Sequence, residues 1–120
     1  MMNSPFLNKE KIAENDFAFA IYDGFPVSKG HALVVPKKIV SQIFDLNTDE
    51  YTGCFNLVKE VKILLQEKFN PHAFNIGINC GKEAGQTVDH AHIHIIPRYK
   101  NDLEDPAGGI RNIFPGKGRY

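Results

Sequence analysis

The chain has 120 residues, 42% of them apolar, which suits one ordinary domain with a single core. Fourteen basic residues balance 14 acidic ones, so broad electrostatic capture of nucleic acid or of an anionic membrane is not expected. No segment approaches the roughly 18 apolar residues of a membrane span, and no signal peptide is evident. Cys54 and Cys80 do not make a disulfide framework. We therefore expect one domain over residues 1–120, free thiols and a cytoplasmic location.

The first third of the chain predicts a short helix followed by two strands. Residues 4–14 give a weak helical signal, with Ser4 as a possible cap and a proline in the first turn. Residues 17–22 are apolar on both faces of a strand, and residues 31–36 form a second buried strand that a proline ends. The turn-rich residues between them predict an antiparallel pair.

One long helix is predicted next. Thr48 suits the N-cap, acidic residues occupy the first turn, and Asn70-Pro71 ends the helix. The predicted apolar stripe comprises Tyr51, Cys54, Phe55, Val58, Val61, Leu65 and Phe69. Residues 73–80 alternate and predict a third strand. Several strands with one helix across them indicate an α+β fold, and residues 101–120 read as a tail without a core of its own.

Three histidines in the second half of the chain alternate with apolar residues. His90, His92 and His94 follow the period of a strand, so their imidazoles are expected on one sheet face, about 7 Å apart at their bases. Immediately upstream, residues 81–89 form a loop rich in glycine and in hydrogen-bonding side chains. Such a loop lets backbone N–H groups approach a phosphate.

This pattern leaves three interpretations open. The histidines are structural, or they bind a metal such as zinc, or one of them attacks a phosphorus atom as a neutral nucleophile. The third is favoured, because the loop supplies Gln86 and Thr87 as donors and His92 has a ring on each side. Taken alone, His31 reads as a strand-end residue and Asp23 as a turn residue.

The histidine stretch, HAHIHII at residues 90–96, resembles the signature of the histidine triad family of nucleotide hydrolases and transferases. Residues 23–37 resemble the upstream strand pair of that family, and residues 79–88 resemble its phosphate loop. The similarity covers roughly residues 15 to 100. It implies a five-stranded antiparallel sheet with one long helix, and a homodimer whose sheets join.

The resemblance also implies roles for single residues. His92 corresponds to the nucleophile that takes the nucleotidyl group, and His90 to the ring that orients it. His94 corresponds to a contact with the α-phosphate and a candidate proton donor to the leaving group. His31 corresponds to a further histidine that backs the triad, and Asp23 to the acid that holds the ribose hydroxyls.

Further positions are implied around the substrate. The phosphate-binding positions are Asn79, Gly85, Gln86 and Thr87, and the positions flanking the base pocket are Ile21, Tyr22 and Gly24. Some family members hold a structural zinc with an N-terminal Cys-x-x-Cys and a histidine after Pro-Lys-Lys. Here that N-terminus has no cysteine and Ile39 stands in place of the histidine, so we expect no such zinc.

The resemblance is closest to the fragile histidine triad branch, whose substrates are dinucleoside polyphosphates. The chain has no tryptophan and so lacks the Trp-Pro tail of the nucleoside phosphoramidase branch. We expect a nucleotidyl hydrolase acting at the α-phosphate of an adenine nucleotide derivative, either a dinucleoside polyphosphate or a nucleoside phosphoramidate, through a covalent nucleotidyl-histidine. A transferase and a nucleotide-binding or interaction protein are the alternatives. No cofactor is expected beyond Mg²⁺ carried by a polyphosphate substrate.

Overall fold

The computed structural model describes residues 4–119, and its centre is a five-stranded antiparallel sheet. The strands are β1 (Lys11–Glu14), β2 (Ala18–Tyr22), β3 (Ala32–Pro36), β4 (Ala73–Gly77) and β5 (Ile93–Arg98), in the order β1-β2-β3-β5-β4. One long helix, α1 (Thr48–Phe69), lies between β3 and β4 in the chain. The predicted α+β fold is therefore confirmed.

The predicted N-terminal helix is wrong. The last residues of that segment form strand β1 instead. Residues 4–10 form turns, and β1 pairs with β2 from Lys11 opposite Ile21 to Glu14 opposite Phe19. The Asn15 side chain accepts hydrogen bonds from the N–H groups of Phe17 and Ala18, both at 2.9 Å, and so shapes the turn. Because an isolated short helix is marginal in water, pairing with a neighbouring strand prevails over the weak helical signal.

The N-cap of helix α1 lies one residue earlier than predicted. Asn47, and not Thr48, is the N-cap: its side chain accepts from the Glu50 N–H at 2.9 Å, and the Glu50 carboxylate accepts from the Asn47 N–H at 2.9 Å. This reciprocal pair satisfies two N–H groups that a helix start leaves open. The helix ends at Phe69, and its C-cap Asn70 adopts a left-handed conformation with φ of 51°.

The apolar stripe of α1 is placed largely as predicted. Its fully buried members are Cys54, Leu57, Val61 and Leu65, of which Leu57 was missing from the predicted set. Tyr51 and Phe55, predicted as part of the stripe, lie at its margin and pack their rings on each other at 5.1 Å. Both cysteines are free thiols.

The sheet has two differently covered faces. One face packs against α1 through a cluster that includes Ala20, Val34, Ile93 and Ile95. The other carries a smaller cluster of Phe19, Ile21, Leu33 and Val35, which Phe6 of the N-terminal turns covers. The histidine rings lie on this second face, because they alternate with the two isoleucines.

Two further predictions need correction at the strand ends. Strand β5 begins at Ile93, after the first two histidines, and β4 ends at Gly77.

The C-terminal residues are more organised than a tail: they contain a 3₁₀ helix at Gly109–Ile113, and Arg119 forms an ion pair with Asp105 at 2.9 Å. Within residues 4–119, no helix combines the length and hydropathy that crossing a membrane requires.

Candidate active site

The hairpin of β2 and β3 brings an acid and a histidine together. Asp23 follows β2 and His31 precedes β3, and the Asp23 N–H donates to the His31 carbonyl at 2.9 Å. Strand β3 also pairs with β5, with Leu33 opposite His94. The next strand therefore carries a triad histidine alongside His31, and the rings of His31 and His94 have centroids 5.2 Å apart.

Hydrogen bonds fix the protons of this histidine pair. The Val27 N–H donates to Nδ1 of His31 at 3.1 Å, so a neutral His31 carries its proton on Nε2. That Nε2–H donates to Nδ1 of His94 at 3.0 Å. His94 consequently carries its own proton on Nε2. The Asp23 carboxylate lies 3.4 Å from Nε2 of His31 and supports the same polarity.

The proton of His92 is fixed by its own neighbour in the triad. Nδ1 of His92 lies 2.8 Å from the His90 carbonyl, which can only accept, so this nitrogen carries the proton. Nε2 therefore keeps its lone pair. The ring is held from two sides, with centroids 5.0 Å from His94 and 5.0 Å from Phe6.

His90 is buried, and its contact with His92 is made by its backbone carbonyl. Its ring is 1% exposed and lies between the Pro36 carbonyl, 2.8 Å from Nε2, and the Ser4 hydroxyl, 2.6 Å from Nδ1. Phe6 contacts this ring as well as that of His92, and His92 in turn contacts His94, so the three triad rings are linked by ring contacts.

An open cavity of about 350 Å³ lies in front of His92 and His94. Its other lining residues are Pro5, Phe6, Lys9, Asp23, Gly24, Phe25, Leu33, Asn79, Gly85, Gln86, Thr87 and Val88. The lining thus combines aromatic and aliphatic side chains with polar ones, among them the two histidines. Such a mixture suits a ligand with an apolar ring and a phosphate.

The loop upstream of the triad is held in shape by Gln86. Its amide oxygen accepts from the Gly81 N–H at 2.8 Å, and its amide nitrogen donates to the carbonyls of Ser41 and Val88 at 2.7 and 3.1 Å. Both amide hydrogens are thereby engaged, so Gln86 does not offer the free donors that the sequence suggested. Thr87 follows it in the cavity wall with a hydroxyl.

Burial keeps His31, His90 and His94 neutral. It lowers the pKa of His94 to about 4, with the neighbouring His92 and His31 acting in the same direction and Asp23 opposing them. Burial also lowers the pKa of His31, against the pull of Asp23, and the pKa of His90. Neutral rings agree with the proton positions that the hydrogen bonds require.

Comparison with known proteins identifies the family. A model described as the HIT domain matches residues 6–101. The chain is 42% identical over 90 residues to a bis(5'-adenosyl)-triphosphatase of Dictyostelium discoideum, covering 75% of this chain and 60% of that protein. It is 44% identical over 106 residues to an asymmetrical bis(5'-nucleosyl)-tetraphosphatase of Schizosaccharomyces pombe, covering 79% of this chain and 58% of that protein.

Comparison with solved structures indicates the same family. A HIT family protein of Bacillus anthracis superimposes with a TM-score of 0.73 at 39% identity, covering 77% of this chain and 65% of that one. The chain belongs to the histidine triad (HIT) family. It spans about three fifths of the length of the two curated relatives, so their named activities are not simply carried over.

This HIT domain places most of the predicted site residues around one cavity. The predicted residues that line it are Asp23, Gly24, Asn79, Gly85, Gln86, Thr87, His92 and His94. His31 and His90 stand behind them, each 3% exposed or less. Ile21 is buried in the cluster that contains Phe6 and Leu33, two residues of the cavity wall.

Tyr22, predicted to flank the base pocket, does not line this cavity. Its ring packs edge-on against Phe69 with centroids 6.1 Å apart, and the ammonium of Lys68 lies 5.3 Å from the ring centre. Both partners belong to α1, so Tyr22 faces the helix side of the sheet. Successive strand residues point to opposite faces, and Ile21 already occupies the histidine side.

Sequence reasoning missed the part of the cavity that the N-terminal turns provide. Ser4 lies next to His90, and Phe6 lies next to His92. Lys9 lines the cavity. No local pattern marks Ser4 and Phe6, because their histidine partners lie more than 80 residues away in the chain. Phe25 was also missed, since its position in a turn predicts only exposure.

One trio in this HIT domain has the composition of a metal site but not its chemistry. Asp23, His31 and His94 bring three ligand atoms within 4.8 Å of one another. A metal at Nε2 of His31 requires a lone pair there, but the Val27 N–H occupies the Nδ1 lone pair and puts the proton on Nε2. The donor set therefore does not fit a metal ion, and no step is derived through one.

Proposed function

We propose that this protein is a nucleotidyl hydrolase that cleaves at the α-phosphate of a nucleotide derivative, with dinucleoside polyphosphates as the substrate class. The observation that carries the proposal is the enforced tautomer of His92. Its Nδ1–H is tied to the His90 carbonyl at 2.8 Å, so Nε2 keeps a lone pair in a ring that lines the cavity. A neutral imidazole with a free Nε2 is a competent nucleophile at neutral pH.

The first step is attack of His92 Nε2 on the α-phosphorus, in line with the leaving group. A nitrogen–phosphorus bond forms as the bond from phosphorus to the leaving oxygen breaks, and the electron pair leaves with that oxygen. The ring becomes cationic, which strengthens its Nδ1–H bond to the His90 carbonyl. The Nε2–H of His94 supports the departing oxygen, and a phosphate leaving group departs as an anion without needing a proton.

The second step returns the enzyme to its starting state. A water oxygen attacks phosphorus, the nitrogen–phosphorus bond breaks with its electron pair returning to His92 Nε2, and a nucleoside monophosphate and a proton are released. In this scheme the Thr87 hydroxyl binds a phosphate oxygen. Asp23 accepts the ribose hydroxyls, which directs the base toward the apolar wall at Phe6 and Leu33.

Two alternatives use the same cavity. In a transferase, inorganic phosphate takes the place of water in the second step and the product is a nucleoside diphosphate. In a nucleotide-binding protein, the ligand is held without turnover. The scheme needs no redox cofactor, and Mg²⁺ would enter only with a polyphosphate substrate.

We also propose that the protein forms a homodimer joined through the sheet and that it is located in the cytoplasm. The edge strand β4 supports the first, because it leaves the 39%-exposed side chain of Ile76 at the margin of the sheet. An edge strand with apolar side chains is suited to pairing with another strand. Sedimentation at several protein concentrations tests it, and a chain that stays monomeric at micromolar concentration would overturn it.

A substrate panel tests the proposed function. Diadenosine polyphosphates, adenosine phosphoramidate and a lysyl-adenylate conjugate are compared by kcat/KM, each with and without added inorganic phosphate. The proposal predicts that diadenosine polyphosphates give the highest kcat/KM and yield a nucleoside monophosphate. Label from added phosphate appearing in a nucleoside diphosphate would favour the transferase, and tight binding without turnover would favour the binding protein.

A further inference from the structure

Ser4 is one of three buried polar residues among residues 4–119, and the other two are His31 and His90. It is 7% exposed, and its hydroxyl oxygen lies 2.6 Å from Nδ1 of His90, a residue 86 positions later in the chain. A buried polar group requires a partner, because leaving one unpaired is costly. The contact therefore joins the N-terminal turns to the triad at its most buried member.

The direction of this hydrogen bond follows from the other side of the ring. Nε2 of His90 lies 2.8 Å from the Pro36 carbonyl, which accepts only, so Nε2 carries the proton of the neutral ring. Nδ1 is then an acceptor, and the Ser4 hydroxyl donates to it. The Ser4 oxygen in turn accepts from the Phe6 N–H at 3.3 Å, which orients the hydroxyl. His90 is thus fixed at both ring nitrogens.

Fixing His90 bears directly on the nucleophile. The His90 carbonyl is the group that holds the Nδ1 proton of His92, and the next peptide N–H, that of Ala91, donates to the Val40 carbonyl at 2.8 Å. Ring and peptide of His90 are therefore both anchored. The same short segment that supplies Ser4 also places the Phe6 ring edge-on to His92 at 5.0 Å. The ring that Ser4 holds and the carbonyl that sets the His92 tautomer belong to one residue, so anchoring the His90 ring helps to hold that carbonyl in place.

We propose that Ser4 is a positioning residue of the hydrolytic site: its hydroxyl locks the ring of His90, and through the His90 carbonyl it keeps Nε2 of His92 unprotonated and aimed at phosphorus. The inference rests on the proposed function. It assigns to the N-terminal turns a part in the chemistry and not only in covering the sheet. Supports of this kind commonly change the rate of a step more than the binding of the substrate.

Three variants test this role in the full chain. Ser4→Ala removes the donor, Ser4→Thr keeps a hydroxyl at the same place, and Asn8→Ala changes an exposed polar residue of the same turns as a matched control. With a diadenosine polyphosphate as substrate, Ser4→Ala is expected to lower kcat about tenfold, the effect of losing one supporting hydrogen bond, with KM changed less than twofold. Ser4→Thr is expected to restore kcat to within about threefold, and Asn8→Ala to leave it unchanged.

The amplitude of the first turnover separates positioning from simple loss of folding. A purely structural role for Ser4 lowers the burst amplitude and leaves the rate per active site intact, whereas the proposal requires a normal amplitude and a slower rate. Ser4→Ala with a wild-type rate per active site would overturn the proposal. So would a rate that Ser4→Thr fails to recover while that variant remains folded.

Nitrogen NMR of the histidine rings gives a test that does not depend on activity. In the wild-type protein the His90 ring is expected to be protonated at Nε2 and to accept at Nδ1. In Ser4→Ala the His90 Nδ1 resonance moves, while that of the exposed His72 does not. An unchanged His90 Nδ1 resonance would overturn the role of Ser4. A wild-type protein inactive on every nucleotide would overturn the proposed function instead, and the NMR comparison would still decide the Ser4–His90 contact.

Discussion

Nε2 of His31 lies 3.0 Å from Nδ1 of His94. The direction of this hydrogen bond decides whether the substrate meets a protonated or an unprotonated Nε2 of His94. The backbone N–H of Val27 forces His31 to donate, so His94 must present its Nε2–H outward. His31, which does not line the cavity in front of His92 and His94, thereby sets the protonation of His94, which does. A second pair of hydrogen bonds acts in the same way: Ser4 holds the ring of His90, and the His90 carbonyl holds the proton of His92.

Removing the His31 donor tests this first relationship. In His31→Asn the side chain is too short to reach both Val27 and His94, so His94 is free to present an unprotonated Nε2. We expect kcat to fall about ten- to hundredfold with little change in KM, because support of the leaving group is lost in the transition state. His72→Asn is the matched control, since His72 is exposed. An equal loss in both variants would contradict the assigned role.

Asp23 is expected to recognise the ribose. If its carboxylate accepts the two ribose hydroxyls, Asp23→Asn raises KM about tenfold or more for a ribonucleotide substrate, from the loss of charge-assisted hydrogen bonds. A 2',3'-dideoxy analogue lacks the partners, so its KM should be alike in the variant and in the wild type. The comparison is made by steady-state kinetics on both substrates. A similar rise in KM for the dideoxy analogue would refute a ribose contact.

The buried neutral histidines predict a pH-dependent stability. Burial holds the pKa of His94 at about 4, below an unfolded value near 6.5, so the unfolded chain binds a proton that the folded chain refuses. The stabilisation is complete above pH 6.5 and is lost as pH falls toward 4. Urea titrations should give a free energy of unfolding lower at pH 5 than at pH 7 by about 1 to 2 kcal/mol from His94 alone. The lowered pKa values of His31 and His90 act in the same direction.

Variants assign this effect to the site. His94→Gln should reduce the dependence between pH 5 and pH 7, because no imidazole remains to titrate at that position, and the remainder comes from His31 and His90. His72→Gln, at an exposed position, should leave the dependence unchanged. A flat profile in the wild-type protein would contradict the neutral, buried state of His94.

The helix core gives a prediction about folding that is independent of function. Leu57 is fully buried under the sheet, so Leu57→Ala should lower the free energy of unfolding by about 2 to 5 kcal/mol through lost burial and a residual cavity. Ile63→Ala, on the half-exposed side of the same helix, should cost about 0.5 kcal/mol or less. Urea denaturation of both variants measures the difference, and equal losses would contradict the observed packing.

Local patterns in the sequence predicted the parts of the fold that local forces decide. Alternation placed His92 and His94 on one sheet face, and the three-and-four spacing placed Cys54, Val58 and Val61 on the buried side of α1. The hairpin of β2 and β3 was predicted by two apolar runs around a turn. These features depend on periods that neighbouring residues carry themselves.

Contacts between distant segments could not be predicted in this way. Residues 11–14 became a strand only because β2 offers an edge, and Ser4 gained its role from a histidine 86 residues away. Tyr22 illustrates the limit most plainly, since both faces of β2 are apolar and no local pattern distinguishes the face that carries the cavity. Gln86 was expected to donate to phosphate, but the carbonyls of Ser41 and Val88 take its hydrogens.

The measurement that tests the central claim most directly is rapid quenching of the wild-type enzyme during its first turnover of a labelled diadenosine polyphosphate. The quench is alkaline, which preserves a nitrogen–phosphorus bond, and the peptide containing His92 is then analysed by mass spectrometry. The account predicts a nucleotidyl group on His92, formed before product release and absent in His92→Asn. Complete hydrolysis of the substrate with no nucleotide on His92 at any time in that turnover would contradict it.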